Sequence, residues 1–157
     1  MDAEELYRRY AAGEMDFTGA DLIGVNLNIA GISGYDSSRN NLSSINLSGA
    51  NLTKTVMQCV NLSGANLSSA YLGGAILTCA NLTGADLRDA DLICTDLDGA
   101  RLINTNLRCA KLVSVRIDGV DLTGADLTGA DLTGGGRYIT LCNTIMPDGT
   151  VKIECIE

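Results

Sequence analysis

Residues 120–136 read VDLTGADLTGADLTGGG, and this stretch decides the fold. Five letters cycle three times and then stop in glycine. Carried back in steps of five, the same phase runs from Met15 to Gly134 without an insertion, 120 residues or 24 pentapeptides. The central residue is Leu 19 times, and Ala stands two before it 13 times. Asn or Asp stands one before it 17 times, and 12 of the 18 glycines stand two after it.

A period of five fits neither a helix at 3.6 nor a flat strand at 2. It fits a chain that turns a corner every five residues. The centre and the small residue two before it then point the same way, inward, as alternate residues do in extended backbone. Small beside large fills a narrow interior. Asn or Asp between them faces out, where its side chain can bond turn backbone. Glycine supplies positive φ at the corner.

Five centres are not Leu: Phe17, Ile32, Ser37, Met57 and Ile117. Four of these differ by multiples of 20, and Met15, Tyr35, Thr55 and Val115 stand two before them. One column in four therefore differs from the rest. This predicts a 20-residue coil of square section and about six coils, roughly 29 Å tall at about 4.8 Å per coil. Local distortion is expected at Tyr35-Asp36-Ser37, where Ser replaces the inward Leu and Tyr the inward Ala.

Ala125–Gly129 and Ala130–Gly134 both read Ala-Asp-Leu-Thr-Gly. Over Met15–Gly134 the chain resembles the pentapeptide repeat family. That resemblance implies an all-β fold, a right-handed quadrilateral parallel β-helix, in a family that is mostly non-enzymatic and abundant in cyanobacteria. Its best understood members mimic DNA and bind DNA gyrase. The segment CNTIMPDGT, residues 142–150, also resembles the C-terminal end of cyanobacterial members.

Stacked coils have open edges that need caps. Asp2 with Glu5 reads as a capping box, and Ala3, Leu6, Tyr7 and Tyr10 form one apolar face. A helix over Ala3–Ala12 is expected to lie on the first coil, with Gly13 just past its end. Beyond the glycines, Pro147-Asp148-Gly149 marks a turn flanked by apolar residues, a hairpin or an extended tail folded back on the last coil. The organisation expected is a helical cap at 1–14, the repeats at 15–134 and a C-terminal cap at 135–157, one domain overall.

The chain carries net charge −8 and no His. Acidity opposes direct nucleic-acid binding. Without His there is no Ser-His or Cys-His pair and no His metal ligand. The Gly-Gly-Gly run lacks the Lys and helix of a phosphate loop. Asp86, Asp91 and Asp96 each precede a centre on different sides of the square, so they are not expected to converge. No enzyme activity, cofactor or metal is expected. Nothing approaches about 18 consecutive apolar residues, and MDAEELYRRY lacks the features of a signal peptide. The expected location is the cytoplasm, as a monomer or weak dimer.

A DNA mimic should offer a continuous acidic stripe. Met15–Gly134 holds twelve Asp against seven Arg and Lys. At a strict 20-residue step, Asp21 would be followed by Asn41, Asn61, Asn81, Arg101 and Asp121, which is not such a stripe. Binding to gyrase is therefore the alternative reading, and a non-catalytic protein-interaction or scaffold module the main one.

Its candidate surface is uncharged and partly apolar. Val56, Tyr71 and Ile76 replace Asn or Asp, and Lys54 is the only charged residue between Asn40 and Ala85. Cys59 and Cys79 are 20 apart and are expected to stack beside Val56 and Ile76. In the cytosol they read as free thiols in place of small residues. If the turn at Asp148-Gly149 has two residues, Cys142 lies opposite Cys155, a candidate disulfide; a three-residue turn shifts that register by one.

Overall fold

The computed structural model describes residues 1–27, 40–134 and 139–152. The described repeats form a parallel β-helix whose bridges fall in four columns, one for each side of the coil. From Asn41 onward the repeat-to-repeat bridges step by 20: Asn41↔Asn61, Asn46↔Asn66, Asn51↔Tyr71, Val56↔Ile76. Backbone bonds follow the same step, as in Leu67 N–H to the Asp86 carbonyl at 2.7 Å and Asp86 N–H to the Ala65 carbonyl at 2.9 Å.

The first coil departs from the expected step. Asp16, Asp21 and Asn26 pair with Asn46, Asn51 and Val56, 30 residues on. That step is ten residues, two pentapeptides, longer than the step between later coils. Ten residues leave the five-residue phase intact while shifting the column expected from a strict 20-residue count by two sides, so the sequence phase conceals the difference. The single odd column is accordingly corrected. Phe17 stacks toward Leu47, whereas Met57 and Ile117 share the side of Leu27. Likewise the column of Asp21 runs Asn51, Tyr71, Asp91, Lys111 and Asp131, and Asn41 heads the column of Asn61, Asn81, Arg101 and Asp121. Tyr35-Asp36-Ser37 lie outside the described residues.

The interior follows the pentapeptide. Leu22, Leu47, Leu67 and Leu87 are wholly buried, and Ala50, Ala70 and Ala90 beside them leave room for them. Each such Leu contributes roughly 1.5–3 kcal/mol of burial. Where Thr replaces Ala its hydroxyl is satisfied by a carbonyl of the preceding coil: Thr95 donates to Leu72 at 2.8 Å and Thr105 to Leu82 at 2.9 Å.

Helix α1, Ala3–Ala11, closes the N-terminal end. The Asp2 side chain accepts from Glu5 N–H at 2.9 Å, whereas the Glu5 carboxylate pairs with Arg8 at 2.7 Å. Leu6 is buried in the core; Tyr7 donates to the Leu27 carbonyl and Tyr10 to the Ser43 carbonyl, both at 2.9 Å. Arg9 lies 5.0 Å from the Phe17 ring centre.

At the other end, β1 (Val120–Asp121) pairs in parallel with β2 (Ile139–Thr140), which continues the stack. Strands β3 (Thr144–Ile145) and β4 (Val151–Lys152) form the antiparallel hairpin. Their register pairs Ile145 with Val151, and Met146 N–H donates to the Thr150 carbonyl at 2.7 Å. The two-residue turn is thus corrected: this register is offset by one from that which faces position 142 with 155.

Candidate functional site

Where Asn or Asp stands one before the centre, its side chain closes the corner of its own repeat. Asn51 Oδ1 accepts from Thr53 N–H at 3.2 Å, Asp86 Oδ1 from Arg88 at 3.1 Å and Asp126 Oδ1 from Thr128 at 2.9 Å. The second residue past the centre then adopts positive φ, +64° to +71° at Gly49, Gly84 and Gly129. Val56, Tyr71 and Ile76 occupy the Asn/Asp position and lack the side-chain carbonyl or carboxylate oxygen that closes the turn. At these three places the polar corner bond gives way to apolar side chains, exposed at Tyr71 and Ile76.

Val56 and Ile76 are bridge partners on adjacent coils, and Tyr71 lies in the neighbouring column on the coil of Ile76. Tyr71 is 55% exposed and Ile76 38%, while Val56 is half-buried. Cys59 and Cys79 flank the same side, both exposed and both with φ of +56°. Sequence reasoning omitted Ile93, which is 37% exposed on the side of Tyr71, one coil on. Its signal was available: Ile follows a centre where Ser or Thr is common. The Asn ladder on another side is polar, Asn61 donating to Asn41 at 2.8 Å and Asn81 to Asn61 at 3.1 Å.

The carboxylates do not gather. Asp86, Asp91 and Asp96 head toward Asn106, Lys111 and Arg116 in three different columns. Arg116 lies 3.1 Å from Asp96 and also pairs with Asp98; Arg108 lies 3.2 Å from Asp126. Burial opposes ionisation of Asp86, but the Arg88 side chain, its backbone N–H and its charge outweigh it and hold the carboxyl below its usual range. Among the described residues no three His, Cys, Asp or Glu form a group that could hold a metal, and no helix is long and apolar enough to cross a membrane.

Cys59, Cys79, Cys94 and Cys109 are free and exposed. Cys142 is disulfide-bonded; Cys155 lies outside the described residues.

The family model for pentapeptide repeats matches residues 38–68, 65–102 and 95–134. No curated protein matches the chain in sequence. Among solved structures, a pentapeptide repeat protein from the thylakoid lumen of Arabidopsis thaliana is 26% identical, covering 69% of this chain and 78% of its own, with TM-score 0.49. Rfr23, a pentapeptide repeat protein from the cyanobacterium Cyanothece, is 29% identical over 91% of this chain and 97% of its own, with TM-score 0.31. HetL of the cyanobacterium Nostoc, a pentapeptide repeat protein involved in heterocyst differentiation regulation, is 25% identical over 97% of this chain and 100% of its own, with TM-score 0.27. On the residues that the family model matches, the chain belongs to the pentapeptide repeat family.

Proposed function

We propose that this protein is a non-catalytic protein-interaction or scaffold module, and that the side bearing Val56, Ile76, Cys59 and Cys79, with Tyr71 at its border, meets a protein partner. The observation that carries this reading is the replacement of polar corner residues by apolar side chains on two adjacent coils, half-buried at Val56 and exposed at Tyr71 and Ile76, in a part of the chain with almost no charge. Exposed apolar patches of this kind mark partner surfaces. The partner is expected to present an apolar, weakly charged face to Val56 and Ile76, while the Asp96–Arg116 pair further along the same column lies at the edge of the contact. Val56→Asp and Ile76→Asp should each abolish capture of the native partner in a pull-down while leaving the circular dichroism spectrum unchanged. Retention of every captured protein by both variants refutes the patch.

Binding to gyrase is the alternative. The bridge columns weigh against it, because Arg101, Lys111 and Arg116 interrupt three of the four columns. Inhibition of gyrase supercoiling at stoichiometric protein would reverse that order.

The proposed architecture is a right-handed square β-helix of about six coils, the hand being that of parallel strand crossovers. Residues 1–14 serve as the N-terminal cap and 135–157 as the C-terminal cap. Cys142 and Cys155 are proposed as partners in a disulfide that staples the latter; the four free thiols elsewhere support that choice. The four exposed free thiols suit the cytoplasm, which is the proposed location; the disulfide at Cys142 is there the exception.

A further inference from the structure

We propose that Cys59 and Cys79 form a two-thiolate site for a soft monovalent ion, copper(I), held between adjacent coils. The two residues occupy the same corner position on consecutive coils: Val56 bridges Ile76, and Cys59 N–H donates to the Thr78 carbonyl at 2.9 Å. Both thiols are exposed, and both backbones have φ of +56°. Their Cα–Cβ bonds therefore run in parallel, and the Cβ separation repeats the step between coils, about 4.8 Å.

That distance selects the chemistry. A disulfide wants Cβ atoms about 3.8 Å apart, so direct closure requires the coils to draw together by about 1 Å. A single ion with metal–sulfur bonds near 2.3 Å spans sulfurs up to about 4.6 Å apart when the two bonds are collinear. Among the described residues no third His, Cys, Asp or Glu completes a group with them. Zinc, which takes four ligands in closed sites, is poorly served by two. Soft thiolates favour copper(I), which is satisfied by two in line.

The next corner along the stack is Gly99, where an added Cβ would lie 3.6 Å from Cys79 Sγ. Gly99 thus sets no side chain against that sulfur. Binding releases two protons: two thiols and one copper(I) become one bis-thiolate complex of charge −1, and no electron is transferred.

The test uses the full chain carrying Cys94→Ser and Cys109→Ser, titrated anaerobically with copper(I) in competition with bicinchoninate. Ser already stands at corner positions 44, 69 and 114 with φ of +54° to +57°, so these changes suit the backbone. One equivalent is expected to be withdrawn from the competitor. Adding Cys59→Ser or Cys79→Ser should weaken uptake by at least about 100-fold, since losing even an outer partner of a metal ligand costs 10–100-fold. Uptake unchanged by either added substitution overturns the site. So does closure of a Cys59–Cys79 disulfide with a small-molecule disulfide in place of copper(I) uptake.

Discussion

The corner residue is where this protein departs most from ordinary backbone. Ten of the repeat corners are not glycine yet hold φ between +54° and +57°, among them Lys54, Asp89 and all four free cysteines. An L-residue pays roughly 1–2 kcal/mol for this conformation. Hydrogen bonds between coils hold it there, as Cys94 N–H does to the Val113 carbonyl at 3.0 Å. Cys94→Gly should therefore stabilise the protein by about 0.5–1 kcal/mol, the relief of strain exceeding glycine's greater chain entropy. A urea midpoint that falls on this substitution would contradict the account. The corner glycines were legible in the sequence from their spacing. The cysteines were legible as substitutes for glycine, but their conformation was not, because nothing in a cysteine signals positive φ.

At the scale of elements, helix α1 is fastened by two phenols. Tyr7 is pushed well above the ordinary tyrosine value, first by burial and then by Tyr10. A group held protonated in the fold contributes stability that is complete below its unfolded pKa and is lost as pH rises through the folded value. Stability should therefore decline above pH of about 10. A series of thermal melts from pH 8 upward checks this, and Tyr7→Phe should flatten the alkaline part of the curve. The same substitution removes the bond to the Leu27 carbonyl, at a cost of about 1 kcal/mol at neutral pH. The helix was readable from its apolar spacing and its Asp2 cap. That Glu5 turns to Arg8 was not, since either partner satisfies the carboxylate locally. The hairpin was readable from Pro147-Asp148-Gly149, but its register was not, because loops of different length share that turn signal.

For the whole molecule, stability should be distributed, since each coil contacts only its neighbours. Deletion of residues 66–85 removes one 20-residue step and brings Asn46 opposite Asp86. The shortened chain should fold with an unchanged form of far-ultraviolet circular dichroism and a lower melting temperature. A shortened chain without cooperative unfolding would show that the coils are not interchangeable. The proposed interaction surface belongs to this scale as well, since it depends on Val56 and Ile76, 20 residues apart, becoming neighbours once the coil length is set.

The sequence by itself determined the pentapeptide phase, the inward and outward positions and the helical cap, because each depends on residues within a few positions of one another. It also marked Val56, Tyr71 and Ile76 as departures, since a carbon side chain at an Asn/Asp position is visible in the repeat. The 20-residue step that stacks Val56 on Ile76 was also readable, but only the tertiary structure decided how the first coil stacks on the second. Ten additional residues leave the five-residue phase unchanged yet rotate the first coil by two sides, so Asp21 faces Asn51 and not Asn41. A local period cannot report that rotation; the backbone hydrogen bonds between coils can, because each joins residues a whole turn apart.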